Sequence, residues 1–308
     1  MINGFLSGIL WALDTVILSI ALASTNYIST PEALMFAPFV STFLHDLFST
    51  MWMTIITIAK KQTNEIKRSL KTRSGKIIIL GALLGGPIGM SGYVIAINNI
   101  GPGLTSIISS IYPAVGVLFS IIFLKEKVKP IQLFGLTISI LGVIFLSYQA
   151  NGEFSEGNSF LGFIAGVVCC VGWASEAVIV GYGMKDEGIS DENALFIRQI
   201  SSSLFYGVVI LIFLGAWKFT FSTLYTNSIL YVLLAGIFGT MSYLMYYKAI
   251  NKIGASKAMP LNITYTAWAV FFSYIILKQS ITLYSIILGI VIILGSILSS
   301  VDLRQFRK

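Results

Sequence analysis

The sequence is short of charge. Asp, Glu, Lys and Arg make up 11% of its 308 residues, where a soluble globular domain carries about 25%. It has one histidine, His45, and two cysteines, Cys169 and Cys170, which are adjacent inside an apolar run. So few ligands exclude a disulfide framework or a structural metal site, and the cysteines read as small packing residues. No H-E-x-x-H, P-loop or G-x-S-x-G pattern is present, so nothing points to hydrolase, metalloenzyme or nucleotide chemistry. An enzyme is not expected, nor a cofactor. Polar stretches long enough for a soluble domain are also missing, which removes a receptor with an appended output.

What is present is apolar. Hydrophobic residues are 56% of the chain and the mean hydropathy is +0.86. Ten apolar runs cover residues 3–24, 33–59, 76–98, 102–124, 130–148, 160–184, 190–215, 227–250, 255–276 and 281–301. Each is near the length of about 20 residues that a helix needs to cross a bilayer. Continuous runs of this length are helices rather than barrel strands. Ala21-Leu22-Ala23 resembles a signal-peptidase site, but residues 1–10 lack Lys and Arg and Asp14 interrupts the apolar core. Residues 3–24 are therefore expected to be a retained first span.

The net charge of +7 would suggest nucleic acid on a soluble protein. Here it sorts by loop. With the N-terminus inside, the inner loops hold seven basic residues from Lys60 to Lys76, then Lys125, Lys127 and Lys129, then Lys185, then Lys248, Lys252 and Lys257, and the tail adds Arg304, Arg307 and Lys308. The outer loops hold Lys218 and Lys278 alone. This asymmetry predicts cytoplasmic N- and C-termini.

The two halves resemble each other. Residues 96–125 align without a gap to 249–278, an offset of 153 that brings together Gly101 and Gly254, Tyr112 and Tyr265, and Leu124-Lys125 and Leu277-Lys278. Trp11-Ala12-Leu13-Asp14 recurs as Trp173-Ala174-Ser175-Glu176. Each half, 1–150 and 151–308, holds five spans. An odd number turns the second copy upside down, so the expected fold is an all-α integral membrane protein of ten transmembrane helices in a five-plus-five inverted repeat. Such repeats serve alternating access, with the solute site near the midplane.

Five ionisable groups fall inside spans: Asp14, His45, Asp46, Glu176 and Arg198. Charge at that depth costs about 2.5–3.5 kcal/mol on insertion scales and calls for a partner or a purpose. Trp173 and Glu176 share a helix face by their i, i+3 spacing, a ring and an acid that both attract a cation. A quaternary ammonium has no N–H to donate, so aromatic faces and diffuse charge must hold it. The candidates for such a cage are Trp173, Tyr243, Tyr112, Tyr265 and Trp268, with Asn262 lining the path. Pro113 and Pro260 each remove a backbone donor nearby. Trp11 is assigned to the lipid face or the interface, against the argument from its counterpart Trp173. Counting from the hairpin ends brings Glu176 and Arg198 to similar depth, so a buried ion pair stands as the alternative to a cation site, with Arg198 structural. The same counting brings Asp14 to His45 and Asp46, either a proton relay, since histidine titrates near neutrality, or a helix-packing hydrogen bond. A quaternary cation predicts several rings and a carboxylate with no cation beside it. An amino acid would need Arg198 in the cavity.

The ten spans, the repeat, and the step Phe123-Leu124-Lys125-Glu126 followed by Gly135 and Gly142 resemble the drug/metabolite transporter superfamily of the EamA type. A narrower set is similar to the LicB-type bacterial choline permeases: His45-Asp46, Gly86-Pro87-Ile88-Gly89-Met90, Gly172-Trp173-Ala174-Ser175-Glu176, Ile197-Arg198-Gln199, Ser242-Tyr243-Leu244 and Leu261-Asn262-Ile263-Thr264-Tyr265. That resemblance implies import of choline or a similar cation across a bacterial cytoplasmic membrane, with protons as a candidate coupling partner, to supply phosphocholine for cell-surface polymers. The alternative is an exporter or importer of amino acids or other small metabolites.

Overall fold

The computed structural model describes residues 1–150 and 158–301; Arg304, Arg307 and Lys308 of the basic tail lie outside them. Among the described residues, ten helices are long and apolar enough to cross a membrane. In chain order, spans one to ten are Ile2–Leu22, Pro31–Ala59, Arg73–Gly101, Leu104–Phe123, Pro130–Tyr148, Ser159–Asp186, Asp191–Leu214, Ser228–Ile253, Ala255–Leu277 and Leu283–Ser300. They agree with the apolar runs to within a few residues. Several starts are fixed by side chains that accept from the first turn: Thr30 from the Ala33 N–H, Thr72 from Gly75, Asn158 from Leu161, Ser190 from Asn193 and Thr282 from Ser285, all at 3.0–3.2 Å. These caps take up donors that a helix start leaves unpaired.

Span one packs along span eight, span three along span six, and span five along span ten. Small residues allow the last of these to close. Gly135 lies against the backbone of Gly295 and Ser299. Ser139 Oγ sits 3.0 Å from Ser296 Oγ and bonds the Ile292 carbonyl at 3.1 Å. Close backbone approach and hydroxyl bonds are how helices associate where lipid offers no hydrophobic drive.

Three irregularities shape the interior. Spans three and seven each contain a π-helical stretch, Leu84–Met90 and Tyr206–Ile210, a feature frequent at functional sites. Span four is broken at Ser110–Ile111 and resumes at Tyr112, with Pro113 in its first turn. Span nine is broken at Ile263–Thr264 and resumes at Tyr265. The short first piece of each follows a glycine at positive φ, Gly101 (φ 80°, ψ 163°) and Gly254 (φ 88°, ψ 158°), a conformation side chains disfavour.

Candidate solute site

A cavity is lined by residues of spans one, three, four, six, eight and nine. Its rings are Trp11, Tyr112, Trp173, Tyr243, Tyr246 and Tyr265, and its one charged residue is Glu176, with Met90, Ala177, Ser242 and Asn262 completing the wall. Six of the seven expected site residues therefore meet there. The breaks in spans four and nine put Tyr112 and Tyr265 each at the start of a second half-helix. The Tyr112 phenol donates to Asn262 Oδ1 at 3.1 Å, and Asn262 Nδ2 donates to Ser7 Oγ at 3.1 Å. Trp173 lies edge to face with Tyr112 at 5.9 Å and tilted against Tyr93 at 5.4 Å.

Two expectations are corrected. Trp268 does not line the cavity. The i, i+3 step from Tyr265 carries its ring one turn further, onto Phe5 at 5.7 Å and Phe271 and Phe272 of its own helix. Its buried indole N–H has no hydrogen-bond partner among the described residues. Trp11, assigned to lipid, instead lines the cavity and meets Tyr243 edge to face at 5.2 Å. Its likeness to Trp173 was the better guide, because the repeated Trp-Ala-x-acid step puts ring and acid on the interior face in both places.

Behind the cavity wall runs a buried charge network. Arg198, 3% exposed, donates from Nε to Glu176 Oε1 at 3.0 Å and from Nη1 to Asp46 Oδ1 at 2.9 Å and Gln199 Oε1 at 2.7 Å. Its Nη2 donates to the Tyr243 phenol at 3.0 Å, and its guanidinium carbon lies 4.5 Å from that ring's centre. Tyr247 donates to Glu176 Oε1 at 3.0 Å, and Ser202 donates to Asp46 Oδ2 at 2.5 Å. On the other side, His45 Nε2 is 3.2 Å from Asp14 Oδ1 and Nδ1 is 3.6 Å from Asp46 Oδ1. All five intramembrane ionisable residues thus form one cluster.

The cluster joins features of readings that the sequence set apart. Glu176 is ion-paired and also lines the cavity. The expectation of a carboxylate without a neighbouring cation is not met. Yet Arg198 is not among the cavity-lining residues, and two carboxylates share it. Asp14 does meet both His45 and, across it, Asp46. Both ring nitrogens of His45 face carboxylates; a neutral imidazole offers one donor only, while an imidazolium offers two.

The π-helical stretch of span three makes room for this arrangement. A Cβ at Gly85 would overlap the Glu176 carboxylate, and one at Gly89 would press on the Trp173 indole. Met90 and Ser242, which line the cavity, had no assigned role in the sequence. Tyr246 and Tyr247 had none either, although the i, i+3, i+4 pattern from Tyr243 was there to be read.

The EamA-like transporter family model matches residues 1–148 and again 160–301. The chain belongs to this family. It is 35% identical over 222 residues to Protein LicB of Haemophilus influenzae, covering 71% of this chain and 73% of that protein. It is 30% identical over 187 residues to an uncharacterized transporter of Clostridium kluyveri, covering 59% of this chain and 58% of that one. A solved crystal structure superposes with a TM-score of 0.73 over 97% of this chain and 96% of its own, at 15% identity, which bears on the fold alone. As an EamA-like protein the chain is a multi-span membrane transporter.

Proposed function

We propose that this EamA-like transporter carries choline or a similar monovalent quaternary-ammonium cation into a bacterial cell by alternating exposure of the cavity to the two sides of the cytoplasmic membrane. The single observation that carries the reading is the cavity itself: six aromatic rings around one carboxylate, Glu176. Ring faces and an acid attract a cation that has no hydrogen to donate. Likeness to Protein LicB adds the choline-permease resemblance and, with it, a supply of phosphocholine to surface polymers.

Charge count favours a cation over an amino acid. Asp14, Asp46 and Glu176 face Arg198 and His45, so full ionisation leaves one negative charge over. An amino acid carboxylate would need a free cation in the cavity wall, and Arg198 is engaged behind it with Glu176, Asp46, Gln199 and Tyr243. The Asp14–His45–Asp46 chain supplies a route for a proton and is our candidate for coupling.

The halves 1–150 and 151–308 act in this account as inverted five-helix units, with both termini cytoplasmic. Four features support the repeat: the twofold family match, the breaks in spans four and nine, the equivalent glycines Gly101 and Gly254, and the equivalent lysines Lys125 (φ 53°) and Lys278 (φ 57°) in the left-handed region.

Uptake of radiolabelled choline into proteoliposomes tests the function. Glu176→Gln and Trp173→Ala are each expected to abolish uptake in protein that still assembles. Unchanged uptake in either would defeat the site assignment. Uptake indifferent to an imposed pH step at fixed membrane potential would remove the proton.

A further inference from the structure

The half-helix Ala255–Asn262 joins the basic end of the protein to the cavity. Its last residue, Asn262, lines the cavity and receives the Tyr112 phenol. Its first turn is gripped from the first half of the chain. Glu126, just past span four, accepts from the Ala255 N–H at 3.1 Å, the Ser256 N–H at 3.0 Å and the Ser256 hydroxyl at 2.5 Å. Three donors on one carboxylate at a helix start make a strong contact, since charge-assisted bonds exceed neutral ones and the helix dipole favours an anion there. The grip is tight enough that a Cβ on Gly254 would collide with the Glu126 carboxylate.

The counterpart at the opposite end has lost this chemistry. At the offset of 153, Glu126 corresponds to Gln279, and Ala255-Ser256 to Pro102-Gly103. The backbone repeats: Glu126 N–H bonds the Ser120 carbonyl at 3.1 Å, and Gln279 N–H bonds the Ser273 carbonyl at 3.3 Å. The side-chain contact does not. Gln279 is exposed and, among the described residues, its side chain makes no hydrogen bond. Proline has no N–H and glycine no hydroxyl, so that end offers one donor where the basic end offers three. Charged contacts cross between the halves at the basic end as well: Glu187 accepts from the Ser74 N–H at 2.6 Å, which with the Ser74 hydroxyl holds its carboxyl below the usual glutamate range, and Lys60 meets Glu192 at 2.6 Å, whereas at the opposite end the halves meet through neutral groups, Asn158 N–H on Asn99 Oδ1 at 3.1 Å and Tyr27 against Phe219 at 5.9 Å.

We infer that Glu126 is a positioning residue and latch: it clamps the half-helix that carries Asn262, holds the transporter closed at its basic end, and biases the resting protein toward loading from the other side. The inference rests on the transport reading above and gives it a direction. Release of Glu126 frees the half-helix to swing about Gly254, and Asn262 moves with it. With Glu126 engaged, the empty protein favours the state that presents its cavity to the medium, as an importer requires.

Sided thiol labelling tests this. With Cys169→Ser and Cys170→Ser removing the native thiols, Ser242→Cys puts one reporter in the cavity wall. A membrane-impermeant trimethylammonium thiosulfonate is added to intact cells or to inverted vesicles. With Glu126 present, labelling is expected from the medium and not from the basic side. Glu126→Gln is expected to shift the ratio toward the basic side by on the order of tenfold or more, given the worth of hydrogen bonds to a charged group. Ser256→Ala, which removes one of the three donors, should shift it the same way by less, and carries the test if the glutamine variant fails to assemble. A role confined to stability would lower the amount of protein and leave the ratio alone. An unchanged ratio in both variants overturns the latch. Protection of the reporter by choline is read separately: its absence, with a ratio that still moves, would count against the solute and not against Glu126.

Discussion

The two halves place an acid and a ring at matching points and then give the acid different partners. In the first, Trp11 lines the cavity and Asp14 meets His45; in the second, Trp173 lines it and Glu176 meets Arg198. His45 and Arg198 stand at the same offset of 153 that relates the aligned segments. One half therefore carries a cation that can give up its proton and the other a cation that never loses its charge. Asp46 touches both. The difference suggests a division of labour: the second half holds the carboxylate that a solute meets, and the first half holds the charge that pH can change.

That comparison can be broken most severely at its permanent cation. Arg198→Met leaves Asp46 and Glu176 buried without it, and removing one partner of a buried pair costs about 3–5 kcal/mol. We expect a large drop in thermal unfolding temperature in detergent, and Asp46→Asn added to Arg198→Met should recover part of it. Next comes the acid. Glu176→Gln should weaken choline binding by about a hundredfold or more, since truncating a charged pair in a binding site costs about 2–5 kcal/mol, while Asp14→Asn should weaken it far less; titration calorimetry separates the two. A smaller effect is expected at the titratable cation. His45→Gln should keep choline binding within a few-fold but flatten the dependence of uptake on pH, and a pH profile unchanged from the parent would end the proton role. The smallest concerns the ring that left the site: Trp268→Leu should leave choline affinity unaltered within error, where Trp173→Ala abolishes it.

Much of the fold was legible because the bilayer makes length and hydropathy decisive, and ten runs became ten spans. The acid–base pairs were also legible, from depth alone: counting back from a hairpin brings Glu176 to Arg198 and Asp14 to His45, because antiparallel helices rise equally per residue. The helix breaks were not. Ser110-Ile111 and Ile263-Thr264 contain neither proline nor glycine, while Pro113 and Pro260 sit on opposite sides of their breaks. Pro113, in the first turn of the resumed helix, is a start signal for span four, whereas nothing comparable opens the second piece of span nine. Residue type also failed to sort rings. Trp11 and Trp268 are both tryptophans in apolar spans, and only the turn each occupies decides which reaches the cavity. The latch was half visible: the Leu-Lys-Glu step was read as a family mark, with no sign that its carboxylate reaches the start of span nine.

In our proposal the cavity is built for a single positive charge and offers no partner for an anion. Calorimetric titration of the purified protein with choline and with betaine, which keeps the trimethylammonium and adds a carboxylate, tests it most directly. We expect choline to bind and betaine to bind at least about a hundredfold more weakly, the scale of one uncompensated buried charge. Equal or tighter binding of betaine, or binding of amino acids alone, would contradict it.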